Sequence, residues 1–124
     1  MILKMNEAEI IATTYYDKMN VYRPFKDTLQ TGESVFLDGL EGKKIYSDIP
    51  CALSTFSGGK ASKTESNVKV ESDYKMFYDP SIHIEKNDTI ECWHEGRYYI
   101  LRAGKEMAFI SHCEIPVNEI KKTS

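Results

Sequence analysis

The chain has 124 residues, 41% of them hydrophobic, with 16 Lys and Arg against 19 Asp and Glu, for a net charge of −3. That length suits one domain with one modest core, and the acidic balance argues against a surface that grips duplex phosphates irrespective of sequence. No run of about 18 apolar residues is available for a membrane-spanning helix, and MILKMNEAEI lacks the unbroken apolar centre of a secretory leader, so a soluble, non-secreted protein is expected.

In chain order, Asn6 followed three residues later by Glu9 forms a capping-box pattern that predicts a short N-terminal helix over EAEIIATT. The β-branched Ile10, Ile11, Thr13 and Thr14 work against extending it. Extended chain follows in YDKMNVYRPFKD, where Met19, Val21 and Phe25 share one side and Pro24 points to an edge or an end. LQTGES and DGLEGK read as turns around a short VFL strand. In KIYSDIPCALS the residues Ile45, Ile49, Cys51 and Leu53 fall on one face, interrupted at Ser47, with Pro50 marking an edge or a bulge.

The clearest periodicity comes later. Val68, Val70, Tyr74, Met76, Tyr78, Ile82 and Ile84 occupy even positions, while Lys69, Glu71, Asp73, Lys75, Asp79 and Glu85 occupy odd ones. This is the period of two of a half-buried strand. Asp79-Pro80 bends the run, Lys86 to Asp88 supplies a turn, and Glu95-Gly96 separates TIECWH from RYYILRA in the manner of a tight hairpin. MAFI and CEIPV add two short extended pieces. The expectation is an all-β, mainly antiparallel domain spanning 1–124, a small barrel or sandwich of six or seven short strands.

Chemistry-bearing residues are few. Cys92, His94, His112 and Cys113 are zinc-ligand types, but the adjacent His112 and Cys113 would point to opposite faces of a strand, so no metal site is expected. A nucleophilic Cys113 with His83, His94 or His112 as base and Asp88 as orienter is the other arrangement available, and nothing in the sequence selects it. There is no phosphate-binding glycine loop, G-x-S-x-G elbow or H-E-x-x-H motif. No catalytic residue and no cofactor is expected. Three cysteines without a C-x-x-C pair fit reduced thiols, with Cys51 and Cys92 as small buried groups. Tyr15, Tyr16, Tyr22, Tyr74, Tyr78, Tyr98 and Tyr99 offer base-stacking rings, but equally suit strands and subunit contacts. His83, on the charged face of its strand, reads as a solvated residue.

The segment SGGKASKTESNVKVESD, Ser57 to Asp73, is polar and long for so small a domain. Ordering it costs about 1–2 kcal/mol per residue, on the order of 20 kcal/mol in all. Ala61, Val68 and Val70 are its only apolar side chains, and each buried Val returns roughly 1.5–3 kcal/mol. A mobile arm over about 56–67 in the isolated subunit is therefore expected, either a tolerated insertion or a segment ordered by symmetric neighbours.

VYRPFKD, YSDIPCALS, YKMFYDPSIHIEKNDTIE and ISHCEIPV, in that order around one polar loop, resemble a family of small prophage and tailed-phage proteins. These are minor capsid or head-completion proteins related to the head-tail connector stopper. The resemblance spans roughly Val21 to Val117 and implies a small β-barrel that docks as a homo-oligomeric ring in the virion neck. A portal or adaptor protein would lie on one side, a tail-completion or tail protein on the other. Phage DNA would pass through without sequence-specific binding. Assembly would take place in the bacterial host cytoplasm, without a membrane. By position, Ser57, Gly58, Gly59, Lys60, Ala61, Ser62, Lys63, Thr64, Glu65, Ser66 and Asn67 correspond to the loop that closes the channel in stoppers. Other expectations are an adaptor or tail-completion role in the same neck, or a soluble barrel binding a ligand or single-stranded nucleic acid.

Overall fold

The computed structural model describes residues 6–54 and 73–120. The capping box forms: Asn6 Oδ1 accepts from Glu9 N at 2.8 Å and Glu9 Oε1 accepts from Asn6 N at 3.0 Å. Helix α1 runs only Glu7–Ala12, as its β-branched composition implies. Strands β1 (Asp17–Arg23), β2 (Phe25–Thr28), β3 (Ser34–Leu37), β4 (Lys43–Ser54), β5 (Tyr74–Tyr78), β6 (Thr89–His94), β7 (Arg97–Ala103), β8 (Met107–Ala108) and β9 (Cys113–Glu119) follow. A 3₁₀ turn over Gly39–Glu41 precedes β4.

Seven strands form one sheet in the order β5-β4-β1-β6-β7-β9-β8, and β5 also pairs with β9. That second pairing closes six strands into an antiparallel barrel, with β8 as one more strand alongside β9. The expected all-β fold is thus a barrel, not a sandwich. β2 and β3 form a separate hairpin. The chain VYRPFKD is one strand by pattern but two in space. Pro24 interrupts the ladder, so Phe25 opens β2 and does not continue the Met19–Val21 face.

Alternation fills the interior. Met19, Val21, Cys51, Leu53, Met76, Tyr78, Ile90, Cys92, Leu101, Ala103, Cys113, Ile115 and Val117 all point inward and are buried. Ile84 completes the core from an irregular segment beyond β5, so the even-numbered pattern outlasts the strand itself. The interruption at Ser47 is a β-bulge. Met19 pairs with Ile49 but Val21 with Tyr46, which leaves two residues of β4 opposite Asn20. Asp48 there takes φ of 54°, and its N–H donates to Asn20 Oδ1 at 2.8 Å. Pro50 lies one residue beyond the last β4–β5 pair, Cys51 with Tyr78, so it stands where β4 has no β5 partner.

Two further features set the barrel's shape. Glu95 and Gly96, with φ of 49° and 79°, make the two-residue turn between β6 and β7, and positive φ at both positions is the type I′ geometry that matches strand twist. Gly104 leaves β7 against Pro116, where an added Cβ would lie 3.0 Å from the proline ring.

At the entry to β6, the carboxylate of Asp88 is fully buried. It accepts from Arg23 Nε at 3.0 Å, from Arg23 Nη2 at 2.8 Å and from Glu85 N at 2.8 Å. This fork ties the end of β1 to the loop entering β6. Replacing Arg23 with Met leaves that buried charge with one amide donor. The expected cost is about 3 kcal/mol, read as a lower urea midpoint with an unchanged m-value.

Candidate functional site

Antiparallel order puts the ends of β4, β6 and β9 and the beginnings of β1, β5 and β7 at one rim. The connection 55–72 leaves and returns there between neighbouring strands, since Ser54 pairs with Lys75. Both of its roots are pinned. On the β4 side, Asp17 Oδ2 accepts from Leu53 N at 2.8 Å and lies 2.8 Å from His94 Nδ1. On the β5 side, Asp73 N donates to Asn118 Oδ1 at 2.7 Å, while Asp73 Oδ2 accepts from Glu119 N at 2.9 Å. The expected channel-closing residues, Ser57 to Asn67, lie outside the described residues.

A second feature occupies the outer face of β1, β6 and β7. Glu91 accepts from Asn20 Nδ2 at 3.0 Å, Tyr22 Oη at 2.8 Å and Tyr98 Oη at 2.6 Å. Burial alone raises its pKa, but those three donors outweigh burial and hold the carboxyl below its ordinary value. Trp93 and Tyr98 face each other across the hairpin with ring centroids 5.4 Å apart, and both are exposed. Lys18 stands opposite Trp93 on β1, and Lys44 Nζ lies 5.6 Å from the centre of the Tyr22 ring.

The tyrosines considered for stacking separate into different environments. Tyr15 and Tyr78 are buried, Tyr74 and Tyr99 meet edge to face against the core, and Tyr16 is exposed. Only Tyr22 and Tyr98 share the Glu91 face. Trp93 was not singled out by sequence reasoning, although its place opposite Tyr98 follows from the two-residue turn.

The cysteine and histidine candidates are also redistributed. Cys51 and Cys92 are buried neighbours inside the barrel, and contact with Cys92 followed by burial pushes the Cys51 thiol up. His94 is taken by Asp17, and His112 by Ser111 Oγ at 2.8 Å and Glu114 Oε2 at 3.0 Å. Asp88 orients no histidine because it binds Arg23. Of the three possible bases, His83 groups with Cys113 and Glu106; one ligand atom from each lies within 4.8 Å of the others. Burial, then the Glu106 and Asp79 carboxylates, push the Cys113 thiol up to about 11. That is the reverse of what activates a thiolate nucleophile. Glu106 sits in an irregular segment with no periodic signal, which is why sequence reasoning passed over it.

Compared with known proteins, no family model, no curated protein and no solved structure matches this chain.

The Glu91 face carries a pH signature. Burial and then Glu91 raise the Tyr98 pKa from 10.0 to about 12. The folded state therefore prefers the neutral phenol: its contribution to stability is complete below pH 10 and is lost as pH rises towards about 12. Tyrosinate absorbance of the native protein, less that of Tyr98→Phe, is expected to show one group titrating near 12, moving lower in Glu91→Gln.

Proposed function

We propose that the chain is a non-enzymatic structural subunit of a phage neck, a head-completion or stopper protein that forms a ring and closes the DNA channel with residues 57–67. The observation that supports this most is the pinning of both roots of the connection to a barrel that closes without it. β4 and β5 pair directly, and Asp17 and Asp73 fasten the two exits to the same body. In the proposed ring, neighbouring subunits would reshape this excursion while the barrel keeps its own strand pairing. Its composition supplies too little apolar surface for the chain to order it unaided.

The outer surface suits a subunit that meets others. Tyr16 is 85% exposed, Phe36 on the β2–β3 hairpin 65%, and Ile110 beyond β8 93%. In the proposed ring these exposed apolar side chains are available for contact with neighbouring subunits. In the ring, the barrel supplies a rigid wall, the exposed apolar residues supply lateral and axial contacts, and the arms meet over the lumen. The net acidic surface leaves DNA free to slide, because strong phosphate contacts would retain it.

The exposed Trp93–Tyr98 pair, with Lys18 beside it, favours a second reading: a face that stacks single-stranded nucleic acid. Trp93 is the only tryptophan, so its fluorescence reports directly on that face. Quenching by an oligonucleotide that disappears steeply with added salt supports the second reading and counts against the first.

Deletion of residues 57–67 tests the leading reading. The barrel is expected to keep its circular dichroism and urea midpoint, while heads assembled with the variant lose packaged DNA to nuclease. Heads that retain their DNA would rule out the gate. Cross-linking from Lys60 or Lys63 to like subunits supports the stopper, and to a portal or tail protein supports an adaptor or clasp.

A further inference from the structure

We propose that His83, Glu106 and Cys113 form a binding site for a borderline-soft divalent cation of the zinc type, at the barrel rim opposite the polar connection. The three residues come from separate segments. His83 lies in the loop after β5, Glu106 in the segment between β7 and β8, and Cys113 opens β9. One imidazole nitrogen, one carboxylate oxygen and one thiol sulfur lie within 4.8 Å of one another.

One of the three donor separations already matches a tetrahedral ion. Zinc bonds of about 2.0–2.3 Å place neighbouring donor atoms roughly 3.3–3.6 Å apart. His83 Nδ1 and Glu106 Oε1 are already 3.4 Å apart. The Cys113 sulfur is fixed in the core, donating weakly to Ile82 O at 3.8 Å, so adjustment on binding an ion falls to His83, whose side chain is 65% exposed.

The carboxylate is oriented as a ligand would be. Glu106 Oε2 accepts from Tyr78 Oη and from Ile84 N, the latter at 3.0 Å, which leaves Oε1 directed at His83. Outer-shell donors of this kind fix the geometry of metal-binding carboxylates. The backbone of His83 is held as well: its N–H donates to Tyr46 Oη at 3.3 Å, and its carbonyl accepts from Arg23 Nη2 at 3.3 Å.

Charge points the same way. Glu106 is mostly buried, with its carboxylate beside the Cys113 thiol. A divalent cation would offset the charge of that buried carboxylate and displace the thiol proton. A thiol, an imidazole and one carboxylate are the donors of zinc chemistry, whereas magnesium and calcium take oxygen ligands. Three protein ligands would leave a fourth position for water or for a donor from a neighbouring molecule.

Titration of the full chain with Co²⁺ is the direct test. The expected result is a near-ultraviolet thiolate-to-cobalt charge-transfer band together with the visible bands of a tetrahedral ion, both abolished by added Zn²⁺. Cys113→Ser is expected to lose the charge-transfer band. Should that core variant not fold, His83→Ala, at an exposed position, is expected to bind at least tenfold more weakly while unfolding like wild type in the absence of metal. Tyr78→Phe is expected to bind about tenfold more weakly by freeing the carboxylate. A missing band in the wild type, an unaltered band in Cys113→Ser, or unchanged affinity in His83→Ala would each overturn the site.

Discussion

Closure of the barrel by β5 is the constraint on which the structure depends. This strand is five residues long, yet it is hydrogen-bonded on both sides, to β4 and to β9. Without it, β4 and β9 would be open edges with unpaired backbone groups over much of their length. Closure also sets up rows of facing side chains. Leu53, Met76 and Ile115 form one row, and Cys51, Tyr78 and Cys113 the next. Two thiols flank the large Tyr78 ring, and alternating small and large residues are how a narrow barrel fills its interior without strain.

Three of the buried polar side chains among the described residues stand where the regular ladder is interrupted or ends. Asn20 bridges the β4 bulge to Glu91, Asp17 holds Leu53 near the end of β4, and Asp88 caps the loop before β6 while pairing with Arg23. Each supplies a hydrogen bond that the interrupted backbone would otherwise lack. The same residues position the features of functional interest. Asp17 and Asp73 secure the connection, Asn20 feeds the Glu91 network beneath Trp93 and Tyr98, and Arg23 steadies the loop that carries His83. Irregularities and candidate sites coincide because both require backbone that is held from outside the sheet.

The two rims are differently equipped. One bears the N-terminal helix, the β6–β7 turn and the roots of the polar connection. The other bears the β2–β3 hairpin, the loop after β5 and the His83–Glu106–Cys113 group. In the proposed neck role, the two unlike ends would meet unlike partners. A metal at the second rim would tie the loop after β5 to the start of β9. Either role can fail without the other.

Local pattern carried much of the fold. Period two across Tyr74 to Tyr78, the Asn6–Glu9 capping box, the Glu95-Gly96 turn and the burial of Cys51 and Cys92 all follow from chemistry that neighbouring residues settle between themselves. The polar character of Ser57 to Asn67 is likewise a property of composition. What tertiary structure alone decided is every relation between distant segments: that β5 finds β9 and makes a barrel, that Pro24 divides one apparent strand between two sheets, that Asp88 serves Arg23, and that Glu106 joins His83 to Cys113. Periodicity states which face a residue presents, but not which other strand or loop that face will meet. That choice is made when the chain closes on itself and buried polar groups must take whichever partners the geometry brings within reach.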